Sequence, residues 1–488
     1  MSQTQTSAAT PPAATETDTL RSQVRSAVIW RSGTQVFSQL VAWASTFLVI
    51  RILAPADYGL FAMTSVVLVL LSLFNGIGFA NAAIQQRDGG TRQLRQLFGL
   101  LLLVNGALAA VQYFAAPWVA AYYQQPRVSA LLQVQALIFL TNPFFALGYT
   151  VLSREMDFRR QAQVNMASAF VGAITALGGA LAGWGVWTLV AAPLAQFATR
   201  GLGMLIAART WVWPSFDFRG ARALASYGGI VMAGQAFWAI QTQADIAIAG
   251  RAFTPHELGF YTTALFLSQI FVTKVVPPLN EVAFSAYARI QDDGEAVAAG
   301  FLKSVRVIAL LAMPFCLGLA AVADPAVHLL LGDKWRPAAP IVRLLALAMP
   351  FMTLYVLFAP AVNARGRPGL TTLCGALGAV LMPACFLIGV RYGTSGIAAA
   401  WLVAYPLLTL LCAIWSLPVI GVSGRALGAA LLAPVAAGLA MALAVSLADL
   451  AVANWPALPR LALLVACGGA VYGGALLLLA RERLEEIV

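Results

Sequence analysis

Apolar runs of roughly twenty residues follow one another along nearly the whole chain, broken by short polar loops. Each run is long enough to cross a hydrocarbon core of about 30 Å as a helix. The first covers about residues 28–50, a turn at residues 51–58 leads to a second ending near residue 84, a third covers about 97–118 and a fourth ends near 152. Helices five and six meet at Gly183-Trp184-Gly185, where two glycines in three residues suit a tight helical hairpin. A second half starts near Leu224, bends at Pro277-Pro278 in its eighth helix, and continues past polar loops at 289–293, 331–336, 363–367 and 391–396. Two further runs, about 426–447 and 461–480, bring the expectation to fourteen membrane-spanning helices. The short alternating segments of a β-barrel are missing from the pattern.

The pattern also repeats. Arg51-Ile-Leu-Ala-Pro55-Ala-Asp57-Tyr58-Gly59-Leu-Phe61 has a second copy 200 residues later, Arg251-Ala-Phe-Thr-Pro255-His-Glu257-Leu-Gly259-Phe-Tyr261. The same offset carries Gln35 onto Gln235 and Phe37 onto Phe237, and Leu189-Val-Ala-Ala-Pro193-Leu recurs as Leu402-Val-Ala-Tyr-Pro406-Leu at an offset of 213. An internal repeat in an apolar chain is the mark of many secondary transporters, whose substrate path runs between the halves. An even number of helices per half makes the two six-helix repeats parallel. The expected organisation is an all-α integral membrane protein: a disordered cytoplasmic tail over 1–26, an N-lobe over 27–210, a cytoplasmic linker over 211–222, a C-lobe over 223–420, two extra helices over 421–480, and a charged tail over 481–488.

Composition agrees with this organisation. With 60% hydrophobic residues, 10% charged residues and a mean hydropathy of +0.81, the chain has too little polar surface for a soluble globule of 488 residues. A net charge of +11 would suit nucleic acid, but the cations sit mostly in short loops between apolar runs. Of the Lys and Arg residues, 19 fall on the side of the N-terminus, eight on the other, and Arg31, Arg200 and Lys274 within helices, which places both termini in the cytoplasm. Nucleic acid is therefore not an expected partner; the lipid bilayer is. All five cysteines lie in apolar segments at unpaired spacings, the two histidines are far apart, and no GxxxxGK[ST] loop occurs, so neither a disulfide, a metal site nor ATP chemistry is expected.

Six loop segments, in this order, make the chain resemble the oligosaccharide flippases of the polysaccharide-transport branch of the MOP superfamily, close to Wzx-type and colanic-acid-exporter-like proteins. They are the Arg51 to Gly59 turn, Gly76-Ile-Gly-Phe-Ala-Asn-Ala-Ala-Ile-Gln-Gln-Arg87-Asp88, Arg154-Glu-Met-Asp-Phe158-Arg159, Ala288-Arg289-Ile-Gln-Asp-Asp293, Leu331-Gly-Asp-Lys-Trp335 and Ala364-Arg-Gly-Arg-Pro368. Ala288 stands where the family often carries Ser. The resemblance implies a two-lobed bundle around a central cavity and movement of an undecaprenyl-diphosphate-linked oligosaccharide from the inner to the outer leaflet of a bacterial inner membrane. It also implies company with other polysaccharide-assembly membrane proteins, and it transfers no individual substrate residue.

Those residues have to be argued from chemistry. A diphosphate crossing low-dielectric space calls for cations inside helices. Lys274, just before Pro277-Pro278, has Glu281 seven residues on and nearly on the same face, a pair suited to line the cavity or to neutralise itself. In helix one, Arg31, Gln35 and Ser38 share a face near the cytoplasmic end, where a diphosphate would first arrive or where an arginine anchors to headgroups. Asp245 lies on helix seven with Trp238 and Gln241 at helical spacing, a candidate for a coupling proton or sodium ion or for the partner of a cation near Arg251. Arg51 and Arg251 are placed to bond the last carbonyls of their helices, with Pro55, Gly59, Pro255 and Gly259 setting the turns, and gating as the second reading. Asn75 and Asn81 read as packing residues, and Trp118, Trp335 and Trp455 as interfacial belts.

The reading that gathers most of this is a flippase working by alternating access, with no cofactor and no catalysis. A cation-coupled multidrug exporter of the same superfamily is the nearest alternative, opposed by Lys274 and Arg31. A membrane polymerase or ligase acting on the same lipid-linked sugar is the alternative from another class, and the longest outer loop, around residues 324–340, lacks the clustered acids such an enzyme needs.

Overall fold

The structure is a computed structural model, and it describes residues 39, 41–76, 78–80, 84, 90–217 and 222–479, with side chains from 235 onward in the last segment. No described residue lies in a strand. The helices are α1 (Val41–Ile52), α2 (Pro55–Ser72), α3 (Thr91–Tyr123), α4 (Arg127–Gln135), α5 (Leu137–Arg154), α6 (Phe158–Leu181) and α7 (Val186–Ala207). After the repeat come α8 (Arg222–Ala252), α9 (Pro255–Lys274), α10 (Val276–Arg289), α11 (Gly294–Ala321), α12 (Ala323–Leu331), α13 (Ala339–Ala364), α14 (Pro368–Gly389), α15 (Gly393–Ile420), α16 (Gly424–Ala451) and α17 (Ala457–Leu479). Among the described residues, 11 stretches are long and apolar enough to cross a membrane. The expected 1–26 and 481–488 tails lie outside the described residues.

The two copies of the repeat start their helices in the same way. Pro55 and Pro255 occupy the first helical turn, where the missing N–H costs nothing. An acid three residues past the cap closes each start: Ala54 N–H donates to Asp57 Oδ2 at 3.1 Å, and Thr254 N–H donates to Glu257 Oε2 at 3.0 Å. In the second copy the Thr254 hydroxyl also accepts from the Glu257 N–H, completing a capping box.

Two expected helices are interrupted. The second does not run unbroken to residue 84: α2 stops at Ser72, and Gly76 takes φ +81, which only glycine adopts cheaply. The freed carbonyl of Asn75 accepts from Asn105 Nδ2 at 2.9 Å and from Asn142 Nδ2 at 3.1 Å, so three asparagines from three segments hold the break closed. The eighth helix does not bend at its prolines either. It breaks at Val275, directly after Lys274, and Pro277 and Pro278 fall in the first turn of α10, where a proline loses no helical bond.

The part of the expected linker that is described, up to residue 217, is tied to the start of α3. Ser215 N–H donates to the Arg95 carbonyl at 2.9 Å, Arg95 Nε to the Trp213 carbonyl at 3.1 Å, and Gln96 Nε2 to the Asp217 carbonyl at 2.8 Å. At the far end of the chain α16 packs along α11, and Arg460 of α17 grips Asp449 of α16 through two bonds of 2.7 and 2.9 Å and reaches Asp324 of α12 at 3.4 Å. That ion triad fastens the last two helices to α12, whose other end enters the contact described next.

Candidate functional site: the contact between the halves and the buried carboxyl beneath it

The two sequence repeats meet. Gly59 lies against the backbone of Pro255, and Gly259 lies against the backbone of Pro55, each so close that a Cβ would overlap the proline carbonyl. Glycine is needed here for close approach, while both residues keep ordinary helical geometry. Around this contact one apolar cluster draws on both halves, Leu60, Met63, Tyr123 and Val190 from the first and Ala249, Leu258, Phe260 and Trp335 from the second. Every other buried cluster among the described residues belongs to one half alone. Apolar packing therefore joins the halves at the Arg51/Arg251 end and leaves their cores separate toward the other.

Four side chains seal that end by capping helix ends across the halves. Arg51 donates to the carbonyls of Leu329 and Leu330 at the end of α12, the Leu330 bond being 3.1 Å. Lys334 Nζ and Trp335 Nε1 return the contact, donating to the carbonyls of Ile52 at 3.0 Å and Ile50 at 2.9 Å at the end of α1. Arg251 donates to the Tyr122 carbonyl at 2.7 Å, at the end of α3, with its guanidinium 5.1 Å from the Tyr122 ring. The expectation that Arg51 and Arg251 cap their own helices is thus corrected: each caps a helix of the opposite half, where unsatisfied carbonyls and the negative helix end attract a cation. Trp335 is corrected as well. It is no interfacial belt residue but 0% exposed, set edge-on between Tyr58 of one half at 5.6 Å and Phe260 of the other at 5.9 Å. Trp118 and Trp455 are exposed, as a belt requires. Replacing Arg251 by alanine is expected to weaken this end by about 1 kcal/mol, a low value because the pair is exposed. A lower thermal midpoint of the purified protein, deeper still in the Arg51→Ala/Arg251→Ala double variant, is the measurement.

About 9 Å along α8 from Arg251 lies Asp245, 0% exposed. It does not pair with Arg251. Tyr261 donates its hydroxyl to Asp245 Oδ2 at 2.7 Å, and Trp401 Nε1 donates to the same hydroxyl at 2.8 Å. Among the described residues Oδ1 has no partner at hydrogen-bonding geometry. One turn further along α8, buried Gln241 accepts from the Tyr355 hydroxyl and donates to the Tyr405 hydroxyl, both at 3.4 Å, and Gly378 makes room for its amide. Trp238, nearly one more turn beyond, stacks on Tyr355 with the rings 9° from parallel. The helical stripe read from the sequence is real, but it faces α9, α13 and α15. That Tyr261, Tyr355, Trp401 and Tyr405 meet this stripe was not legible, because they come from three other helices, 16 to 164 residues away along the chain.

Lys274 and Glu281 are exposed and are not joined by an ion pair; the break at Val275 takes them off a common helix, so their mutual neutralisation is corrected. Neither has a polar side-chain partner among the described residues. Arg31, Gln35 and Asn81 lie outside the described residues. Among the described residues no group of three or more His, Cys, Asp or Glu is placed to hold a metal ion.

The family model described as "Polysaccharide biosynthesis protein" matches residues 48–340. The chain is 25% identical over 365 residues to the succinoglycan biosynthesis transport protein ExoT of Rhizobium meliloti, spanning 75% of this chain and 74% of that one. It is 25% identical over 336 residues to the teichuronic acid biosynthesis protein TuaB of Bacillus subtilis, spanning 67% and 68% respectively. Among solved structures it is similar to the lipid II flippase MurJ in an inward closed conformation, with a TM-score of 0.76 at 13% identity, over 93% of this chain and 100% of that one. That likeness is one of fold.

Proposed function

Because the chain belongs to the polysaccharide biosynthesis protein family, we propose that it is a flippase for lipid-linked oligosaccharides, a transporter and not an enzyme. Its cargo on this reading is an undecaprenyl-diphosphate-linked repeat unit, moved from the cytoplasmic to the periplasmic leaflet of a bacterial inner membrane. The observation that carries the proposal is the one-ended contact: halves joined by Gly59/Pro255 and Gly259/Pro55, with separate cores beyond, are built to rock about a space between them. Two lobes, over 27–210 and 223–420, are the moving bodies. The excess of cations on the side of the N-terminus puts the Arg51/Arg251 end at the periplasm and both termini in the cytoplasm. The names of ExoT and TuaB, given to proteins of succinoglycan transport and teichuronic acid synthesis, support a polymer precursor as cargo. Exposed, unpaired Lys274 is the C-half cation that meets the diphosphate, and Arg31 and Gln35 its counterparts in the first helix. Asp245, with one carboxylate oxygen unsatisfied, takes the coupling ion, a proton or sodium. Other polysaccharide-assembly membrane proteins receive the flipped unit.

In cells lacking both this protein and the downstream polymerase, the repeat unit is expected to stay on the cytoplasmic leaflet. A periplasmic glycosidase applied to spheroplasts will then release nothing until the chain is restored. Unchanged release, with polymer still lost, would instead move the protein downstream of flipping.

A further inference from the structure

Arg200 lies within the membrane-spanning helix α7, 14 residues past Val186 and seven before Ala207, so about 21 Å from one end and about 10 Å from the other. A guanidinium at that depth is costly unless it is paired. Its Nε donates to Asn165 Oδ1 of α6 at 2.9 Å, and its carbon sits 4.2 Å above the Phe145 ring of α5, which stacks in turn on Tyr149. Those contacts fix the plane and direction of the guanidinium but supply no negative charge. The two terminal nitrogens have no hydrogen-bond partner among the described residues. Among the described residues no acid lies within the apolar part of this half: before residue 222, Asp57 caps α2, Asp157 caps α6 beside Arg160, Asp217 pairs with Arg92, and Glu155 is exposed in the loop after α5. Gln196, one turn before Arg200 on α7, is exposed and extends the polar stripe.

A planar fork held from behind through Nε and its face, with its two terminal nitrogens left to donate, is the geometry that binds two oxygens of a phosphate. We propose that Arg200, oriented by Asn165 and Phe145, is an anion subsite of the N-half that takes the phosphate groups of a polyprenyl-linked cargo. The inference rests on the lipid-linked cargo proposed above. A phospholipid headgroup offers the same chemistry, so the test has to separate the two sources.

The experiment is native mass spectrometry of the purified full chain, with undecaprenyl diphosphate and phosphatidylglycerol titrated separately. Arg200→Gln is expected to lower undecaprenyl diphosphate affinity at least tenfold and to leave phosphatidylglycerol retention unchanged. Arg200→Lys, which keeps the charge and loses the fork, should recover only part of the affinity. Asn165→Ala, which releases Nε and leaves the arginine, should cost about three- to fivefold and serves if the glutamine variant does not fold. Equal undecaprenyl diphosphate binding by wild type and Arg200→Gln overturns the subsite and leaves the cargo reading standing. Loss of phosphatidylglycerol alone makes Arg200 a headgroup anchor. No undecaprenyl diphosphate bound by the wild type overturns both.

Discussion

Alanine at Gly59 or at Gly259 is expected to keep the Arg51/Arg251 end from closing and to cut export at least about fivefold. The added methyl of Gly59→Ala falls inside the backbone of Pro255, and that of Gly259→Ala inside the backbone of Pro55. A flexible side chain would swing away, but a helix start held by a capping acid cannot. Overpacking of this kind costs about 1–3 kcal/mol, which changes the ratio of closed to open forms by about 5- to 150-fold. That exceeds the roughly 1 kcal/mol carried by each exposed arginine cap, so the glycines set the closure and the arginines trim it. The readout is a cysteine at Met63, which is 0% exposed beneath the contact, in a background free of the five native cysteines. A membrane-impermeant maleimide added from the periplasm should leave it unlabelled in the parent and label it in either alanine variant. Gly178→Ala, at a helical glycine with nothing within 4 Å of its added methyl, is the control and should change neither labelling nor export. Export at the parental rate in both variants would remove the contact from the transport cycle.

Asp245→Asn is expected to abolish export against a gradient while the protein reaches the membrane at its normal level. Asparagine has the shape of aspartate and still accepts from Tyr261, so the packing around α8 is disturbed by little. What it loses is the capacity to carry a charge or a proton at Oδ1, the oxygen left without a partner. Tyr261→Phe separates this role from a structural one. It strips the hydrogen bond from both Asp245 and Trp401, and each buried group left unpaired costs about 1–3 kcal/mol. The phenylalanine variant should therefore lose stability, and the asparagine variant function. Normal export by Asp245→Asn under an imposed proton or sodium gradient would take the coupling ion away from this carboxyl.

The sequence carried the helical, membrane-embedded class, because apolar runs of spanning length leave a chain no other way to satisfy its backbone in lipid. It carried the helix starts at Pro55 and Pro255, since a proline with an acid two residues on is a local signal, and it placed Trp238, Gln241 and Asp245 on one helix face through the period of 3.6. It marked the repeat, and with it Arg51, Gly59, Arg251 and Gly259, as the feature to explain. What those residues touch lay beyond it. A local pattern cannot say that Gly59 meets Pro255, nor that Arg51 caps the helix ending at Leu331 and not its own, because each contact joins positions some 200 or more residues apart. Trp335 was misread for the same reason: a tryptophan at a helix end belongs to an interface unless another half of the molecule covers it. The break at Asn75 and the partners of Asp245 likewise came from neighbours in space. Spacing along one chain fixes which side chains share a face, and only the packing of helices from both halves decides what that face meets.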